Sequence, residues 1–247
     1  IASVLDLGYK SSGDTVYGGM TLVNNGNLTV TSPFEVLLVL NSTDTIREKV
    51  SSVLEPGDTI EYTFSQYFIV PQTTSDQPYY FVEYEQLLSC DADATNNTSN
   101  SLGYVNVMDM GLLSVTSPDA STCQQGGSEA TVSVRMYNNG NIDAVDSVTL
   151  VAEIDSAGVL YKTLTEKVAP LTAGENRNVS FTERYLVPRL SVNNVKATYD
   201  VRVYIVSMEG DLETLNDTVS AEGCVEGGVG VGDVVAESWS LGQNQTP

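Results

Sequence analysis

The stretch CDADATNNT at 90–98 brings a thiol, two carboxylates and two carboxamides within reach of one another. Such a set offers thiolate chemistry or hard-oxygen coordination of a cation such as calcium. It also matches a polar turn in which Asp and Asn side chains bond their own backbone amides. A nucleophilic Cys90 lacks a base, because the chain contains no histidine. That absence removes Ser-His-Asp and Cys-His pairs, imidazole zinc ligands and the one side chain that ordinarily titrates near neutrality. Asp91 further disfavours a thiolate next to it, so Cys90 is expected as a small half-buried thiol at a strand end. Hydrolysis by paired carboxylates remains formally open. With 32 acidic side chains on one chain, however, neighbouring acids are more simply solvated, and no catalytic residue is expected.

Bulk properties narrow the partners. Eleven basic residues against 32 acidic ones give a net charge of −21, a surface that repels nucleic-acid phosphates and anionic lipid. No 18-residue apolar window is present, so no membrane insertion is expected. The opening residues IASVLDLGYK lack a basic leader and an apolar core, which implies that any export signal was removed or lies upstream. At 247 residues and 41% apolar content, the chain suits one large domain or two of about 110 residues.

Internal similarity favours two. VNNGN at 23–27 recurs as YNNGN at 137–141, an offset of 114 (Asn24 to Asn138). LEPGDTIEYTFSQYFIVP at 54–71 recurs as LTAGENRNVSFTERYLVP at 171–188, with Phe64 on Phe181 and Pro71 on Pro188, an offset of 117. FVEYEQLLSCDADATNNTSNS at 81–101 matches VRVYIVSMEGDLETLNDTVSA at 201–221, with Tyr84 on Tyr204 and Asp91 on Asp211, an offset of 120. The landmarks keep their order, so the chain is a duplicated domain, and CDADATNNT closes its first copy just as GDLETLNDT closes the second.

Within each copy the hydrophobic period is two: Ile60, Tyr62 and Phe64 in TIEYTF; Val132, Val134 and Met136 in TVSVRM; Val148, Leu150, Ala152 and Ile154 in SVTLVAEI. Clusters such as NNGN, EPGD and TAGE punctuate the strands. These features predict an all-β chain of two tandem immunoglobulin-like β-sandwiches of about seven strands each, arranged end to end over 1–104 and 105–225. The junction LGYVNVMDMGLL contains no Pro- or Ser-rich spacer, which predicts a stiff connection. Residues 226–247 read as a Gly-rich linker followed by a short terminal segment.

The repeat plan, NNGN after the second strand, LxPGxTxxxTF before a central one and DxDxxNNT before the last, resembles the tandem cell-adhesion-related (CARDB-like) immunoglobulin-like modules of bacterial surface proteins. WSLGQNQTP at 239–247 resembles the start of the C-terminal sorting domain of type IX secretion cargo of Bacteroidetes, through Leu241, Gly242, Gln243, Asn244 and Pro247. The resemblance implies a secreted protein, extracellular or held at the outer cell surface. Asp followed by Ser or Thr and an aliphatic residue resembles the O-glycosylation acceptor of that phylum, which points to Thr15, Thr45, Thr59, Ser147, Ser156 and Thr218. An equal alternative is an Asp-initiated turn feeding a β-branched strand.

Cys123 falls in an insertion of about eleven residues, judged from the DLG of 6–8 against the DMG of 109–111, and Cys224 follows the last strand of its copy. First and last strands of such sandwiches run side by side, so a Cys123–Cys224 disulfide is expected, requiring an oxidising compartment. For a structural calcium, Asp91, Asp93 and Asn96 (with Asn97) offer oxygens in the first copy and Asp211, Glu213 and Asp217 in the second. Neither set has the twelve-residue calcium-loop pattern, and an Asx turn competes in both. If real, the site is expected twice. No other cofactor is expected. The functional expectation is a non-catalytic spacer, stalk or adhesin segment that meets a protein or glycan ligand or further copies of itself. The alternative is a carbohydrate- or protein-binding accessory module of a peptidase or glycoside hydrolase lying upstream. Tyr79, Tyr80 and Tyr84 are the aromatic candidates for the latter.

Overall fold

The structure, a computed structural model, describes residues 1–190, 195–206, 208–211 and 213–227. The first copy contains β1 (Ser3–Val4), β2 (Tyr9–Ser11), β3 (Thr15–Val16), β4 (Gly19–Val23), β5 (Phe34–Leu40), β6 (Asp44–Val50), β7 (Thr59–Thr63), β8 (Phe68–Ile69), β9 (Tyr79–Leu87) and β10 (Thr98–Asn106). The second contains β11 (Met110–Ser117), β12 (Gln124–Gln125), β13 (Glu129–Ala130), β14 (Ser133–Asn138), β15 (Val148–Ser156), β16 (Val159–Val168), β17 (Asn176–Ser180), β18 (Tyr185–Leu186), β19 (Lys196–Ile205) and β20 (Thr218–Glu226).

Sheet order is the same in the two copies, element by element. The first copy faces a three-stranded sheet β1-β4-β7 with a five-stranded sheet β2-β10-β9-β5-β6; the second repeats this as β11-β14-β17 and β12-β20-β19-β15-β16. The ribbons β3-β8 and β13-β18 also correspond. Each copy has ten strand segments where the periodicity suggested about seven, because the entering chain serves two sheets and a short two-stranded ribbon is added. β1 pairs antiparallel with β4, and after a turn in which Gly8 N donates to Asp6 Oδ1, β2 pairs parallel with β10. Runs of two or three residues are too short to show a period of their own.

Two separate apolar clusters form, one per copy, and they meet in the chain between Val107 and Met108. Alternation explains their composition: on β9, Tyr80, Val82 and Tyr84 point inward while Tyr79 and Phe81 point out. The apolar run of β5 belongs to a central strand, between β9 and β6, and even its outward Leu37 is buried.

Strand pairing revises two expected equivalences. β9 is paired with β10 as Tyr80 opposite Gly103, and β19 with β20 as Tyr199 opposite Gly223. The partner of Tyr80 is therefore Tyr199, offset by 119, and Tyr84 corresponds to Val203; Tyr204 corresponds to the outward Glu85. Each inward tyrosine ring lies over a glycine, whose Cβ would fall 2.0 Å from Tyr80 or 2.2 Å from Tyr199. The apparent Tyr84–Tyr204 match arose because the turn after β19 carries one additional residue. Likewise, Ser3 opposite Thr21 corresponds to Ser114 opposite Arg135, an offset of 111. The extra segment before Cys123 is thus about three residues; DLG and DMG are not equivalent.

One carboxylate stitches the two sheets of the first copy together. Glu48 on β6 accepts from Tyr62 Oη at 2.7 Å on β7, and from Ser65 N, Ser65 Oγ and Gln66 N at 2.8–3.0 Å. Desolvation alone would raise its pKa, but the hydrogen bonds outweigh it and hold the group at about 2. A carboxyl whose folded pKa is depressed stabilises the fold above its unfolded value and loses that contribution as pH falls. The first copy should therefore lose stability between about pH 4.5 and pH 2 through this group. Glu48→Gln should cost about 2 kcal/mol at pH 7 and flatten that acid limb, as measured by denaturant unfolding across pH.

Candidate functional site at the repeat junction

The NNGN motif is a wired turn. In the first copy Asn24 Nδ2 donates to Leu28 O and Leu54 O, and Asn24 Oδ1 accepts from Gly26 N. In the second, Asn138 Nδ2 donates to Ile142 O and Leu171 O, and Asn138 Oδ1 accepts from Gly140 N. A short amide with both donor and acceptor is what such a loop needs to satisfy backbone groups that no strand can reach.

The second NNGN also grips the connection between copies. Only Val107, Met108 and Asp109 separate β10 from β11. Asn141 N donates to Val107 O, its Oδ1 accepts from Val107 N and its Nδ2 donates to Val105 O. Asn139 N donates to Asp109 O, and Asn139 Nδ2 reaches both Asp109 Oδ2 and Ser75 Oγ of the first copy. Gly140 is pressed against this connection: a Cβ there would lie 2.3 Å from Val107 O and 2.8 Å from Met108 Cα.

The closing turn of the second copy flanks this connection, whereas that of the first lies at the opposite end of β10, and the two differ in their chemistry. In the first, Asp91 accepts from Gln86 Nε2 at 2.7 Å and from Asp93 N at 3.0 Å, and Gln86 Nε2 also meets Asn97 Oδ1. Asp93 caps the short 3-10 turn Ala94–Asn96, accepting from Thr95 N, Thr95 Oγ1 and Asn96 Nδ2. These are the bonds of an Asx turn, and those to Thr95 chiefly pull the pKa of Asp93 down. Cys90 lies in the tight turn after β9 and is exposed and free, against the expected half-buried position. The strand ends at Leu87, and the turn from Leu88 to Asp91 turns the thiol to solvent.

In the second copy Ile205 stands where the first has Gln86, and Asp217 where it has Asn97, since Gln86 N donates to Asn97 O and Ile205 N to Asp217 O. The amide network is absent. Instead three carboxylates are buried: Asp109 at 2% exposure, Asp211 at 8% and Asp217 at 8%. Asp109 accepts from Asn216 Nδ2 at 2.7 Å, and Asp211 from Met110 N at 3.1 Å and Glu213 N at 3.2 Å. Asp217 Oδ1 and Asn216 Oδ1 are buried without a hydrogen-bond partner. Tyr137 borders the group, within 2.6 Å of where a Gly111 Cβ would sit. None of the ion pairs among the described residues involves these acids. Burial, then the charges of Asp211 and Asp109, raise Asp217 to about 6; burial, with Asp109 and Glu213 nearby, also raises Asp211.

Of the sequence candidates, Asp211 and Asp217 are buried near Asp109, without the three forming a metal-binding group, whereas Glu213 lies at the start of the 3-10 turn Thr214–Asn216 without a capping side-chain bond. Asp91, Asp93 and Asn96 remain in their own turn. Asp109, Asn139 and Asn141 were not singled out. The visible signals were the repeated NNGN itself, which contains Asn139 and Asn141, and an acid inside the largely apolar VNVMDMGLL.

Cys123 and Cys224 are joined, with their Cα atoms 4.4 Å apart, at the start of the β12–β20 pairing. In the first copy the same two positions hold Tyr9 and Tyr104, whose rings stack at 5.0 Å and 23°. Tyr79 lies opposite Tyr104 on the next strand, so the outer face carries a row of three exposed tyrosines, at 62%, 38% and 45% for Tyr9, Tyr104 and Tyr79. Tyr80 and Tyr84 are core residues and unavailable to a ligand. Thr15, Thr45, Thr59, Ser147 and Thr218 are exposed and Ser156 is partly covered. Asp14 and Asp58, which precede two of them, accept from Ser11 N and Glu55 N as turn residues do. The linker beyond Gly227, Trp239 and the LGQN segment lie outside the described residues.

The junction and the sheet order define the chain as tandem immunoglobulin-like β-sandwiches. No family model and no curated protein matches it. Among solved structures it is similar to the CARDB domain of a Pyrococcus furiosus protein in complex with di-metal ions, at 19% identity over 49% of this chain and 90% of that one, TM-score 0.35. It is also similar to the calcium-binding domain CBD12 of CALX1.1, at 8% identity over 89% and 95%, TM-score 0.32. A third is a Bacteroides uniformis β-glucuronidase, at 14% identity over 87% and 26%, TM-score 0.31.

Proposed function

We propose that the chain is a non-catalytic spacer segment of an exported protein, in which two sandwiches are held at a set angle to present whatever is attached to them. The carrying observation is the junction: three connecting residues, gripped by Asn139, Gly140 and Asn141 through backbone and side-chain bonds. A flexible tether would need unpaired, solvated backbone here. The Cys123–Cys224 bond suits an oxidising compartment. Among the described residues no helix is long and apolar enough to cross a membrane. Type IX export and attachment at the outer surface belong to the same proposal and rest on the LGQN tail, as glycosylation rests on the exposed Asp-Ser/Thr sites. Small-angle scattering tests the spacer: the wild-type curve should fit one inter-repeat geometry, and Asn141→Ala should broaden it. A wild-type curve that requires a wide ensemble would sink the reading.

The row Tyr9, Tyr104 and Tyr79 favours a second reading, a glycan- or protein-binding accessory module, because flat exposed aromatics are what sugar rings stack on. A glycan array should then give saturable binding that Tyr104→Ala abolishes, and a blank array removes the carbohydrate version.

A further inference from the structure

We infer that Tyr9 and Tyr104 form an oxidative cross-linking site, at which a peroxide-driven one-electron oxidant joins the two phenol rings as dityrosine and closes the first repeat covalently where Cys123–Cys224 closes the second. Strand pairing holds the two residues together: they are Cα partners in the parallel β2–β10 pairing, and Tyr104 N donates to Gly8 O at 3.0 Å. Their rings stack with centroids 5.0 Å apart at 23°. Exposures of 62% and 38% leave both open to an oxidant in solution. The other tyrosine pairs among the described residues lack one of these conditions. Tyr185 and Tyr199 are buried, with centroids 6.1 Å apart. Tyr17 and Tyr67 are exposed but lie farther apart and crossed, at 5.9 Å and 71°. Turning about the Cβ–Cγ bond, whose torsional well is broad, brings a Cε carbon of Tyr9 against one of Tyr104.

Each phenol gives up one electron and its hydroxyl proton, the two phenoxyl radicals form one bond between their Cε carbons, and the hydrogens on those carbons return to the oxygens as protons. The two electrons and two protons released reduce one hydrogen peroxide to two waters. The step therefore balances with peroxide, activated by a haem peroxidase, as its co-reactant. Its product ties the entering chain to the last strand of the repeat. Tyr9 and Tyr104 are 95 positions apart, against 101 for the disulfide, so the bond removes a similar share of unfolded-chain entropy. The second repeat serves as an internal contrast, since the same two positions there already carry a covalent bond between strands. The inference stands apart from both functional readings: a chain that forms dityrosine here yet flexes at its junction, or binds no glycan, would support the one and overturn the other.

Peptide mass spectrometry and differential scanning calorimetry provide the test, on the dilute full chain treated with hydrogen peroxide and a haem peroxidase. The chain carries Cys90→Ser, which removes the exposed thiol as a competing reductant. The monomer should lose two hydrogen atoms in mass, gain dityrosine fluorescence and yield one cross-linked peptide pair containing Tyr9 and Tyr104. Melting of the first repeat should rise by roughly 10–20 °C, with that of the second unchanged. Tyr9→Phe and Tyr104→Phe each keep a ring in the stack and should abolish both the product and the shift, whereas Tyr67→Phe and Tyr79→Phe should leave both in place. Should a phenylalanine variant not fold, the peptide pair mapped in the parent chain decides. No dityrosine in the treated monomer, or dityrosine formed only between chains, overturns the proposal. So does coupling that survives in folded Tyr9→Phe, or a Tyr9–Tyr104 product that leaves the melting of the first repeat where it was.

Discussion

Replacing Cys123 and Cys224 together by alanine is expected to lower the unfolding free energy of the second repeat by about 4 kcal/mol. The bond closes a loop with a sequence separation of 101, and chain-entropy loss grows with the length of the loop closed, reaching about 4–5 kcal/mol near 100 residues. The same positions in the first repeat carry the Tyr9–Tyr104 stack, an aromatic pair worth about 1 kcal/mol beyond the area it buries. The asymmetry gives the measurement an internal reference. Guanidinium unfolding of the double variant, or of the wild type under a strong thiol reductant, should move the transition of the second repeat and leave that of the first unchanged. Equal loss in both transitions, or none, would show that the bond does not act by constraining the unfolded second repeat. Alanine is chosen because Cys224 is 1% exposed, and a serine hydroxyl there would add the separate cost of an unsatisfied polar group.

Gly140→Ala should destabilise the second repeat by about 3 kcal/mol and loosen its hold on the connection, while Gly26→Ala in the first repeat should cost less than about 1 kcal/mol. The two glycines occupy the same place in the same motif, and neither needs a positive φ. What separates them is the neighbour. A methyl on Gly26 would meet Asn24 Oδ1 at 3.1 Å, a tight contact that a shift of a few tenths of an ångström relieves, and Leu28 N at 4.0 Å, whereas a methyl on Gly140 would meet Val107 O at 2.3 Å and Asp109 N at 2.9 Å. Backbone cannot withdraw without breaking the Asn139 and Asn141 bonds to Asp109 and Val107. Denaturant unfolding gives the stability difference, and amide hydrogen exchange at Asn139 and Asn141 reports whether the grip is lost. Equal behaviour of the two variants would mean that the connection is not clamped by this turn.

A good part of this architecture is legible in the amino-acid sequence. Period-two alternation in stretches such as TVSVRM follows directly from the pleat, so strand character and the inward set Val132, Val134 and Met136 could be read from local sequence. The duplication was legible too, since LEPGDT and LTAGEN keep their spacing to Phe64 and Phe181 and NNGN precedes each of them in the same order. Local sequence also sufficed for the turn chemistry of Asp93, whose partners lie within three residues.

What remained hidden depends on pairing across long sequence separations. A one-residue difference in a turn is invisible to matching letters but reverses which tyrosines are equivalent, because a shift of one in a strand exchanges its faces. Tyr80 and Tyr199, each over a glycine of the neighbouring strand, emerge only from that register. The short segments β2 and β12 are strands solely because β10 and β20 offer them free edges. Asp109 and Asp217 are 108 positions apart, and nothing in either neighbourhood says that they share one buried, uncompensated environment. Composition and period thus determine by themselves that this chain is a pair of acidic β-sandwiches without histidine chemistry. Tertiary structure alone decides that one copy satisfies its closing turn with amides while the other buries three carboxylates around it, because that difference lies in which distant side chains burial brings near one another.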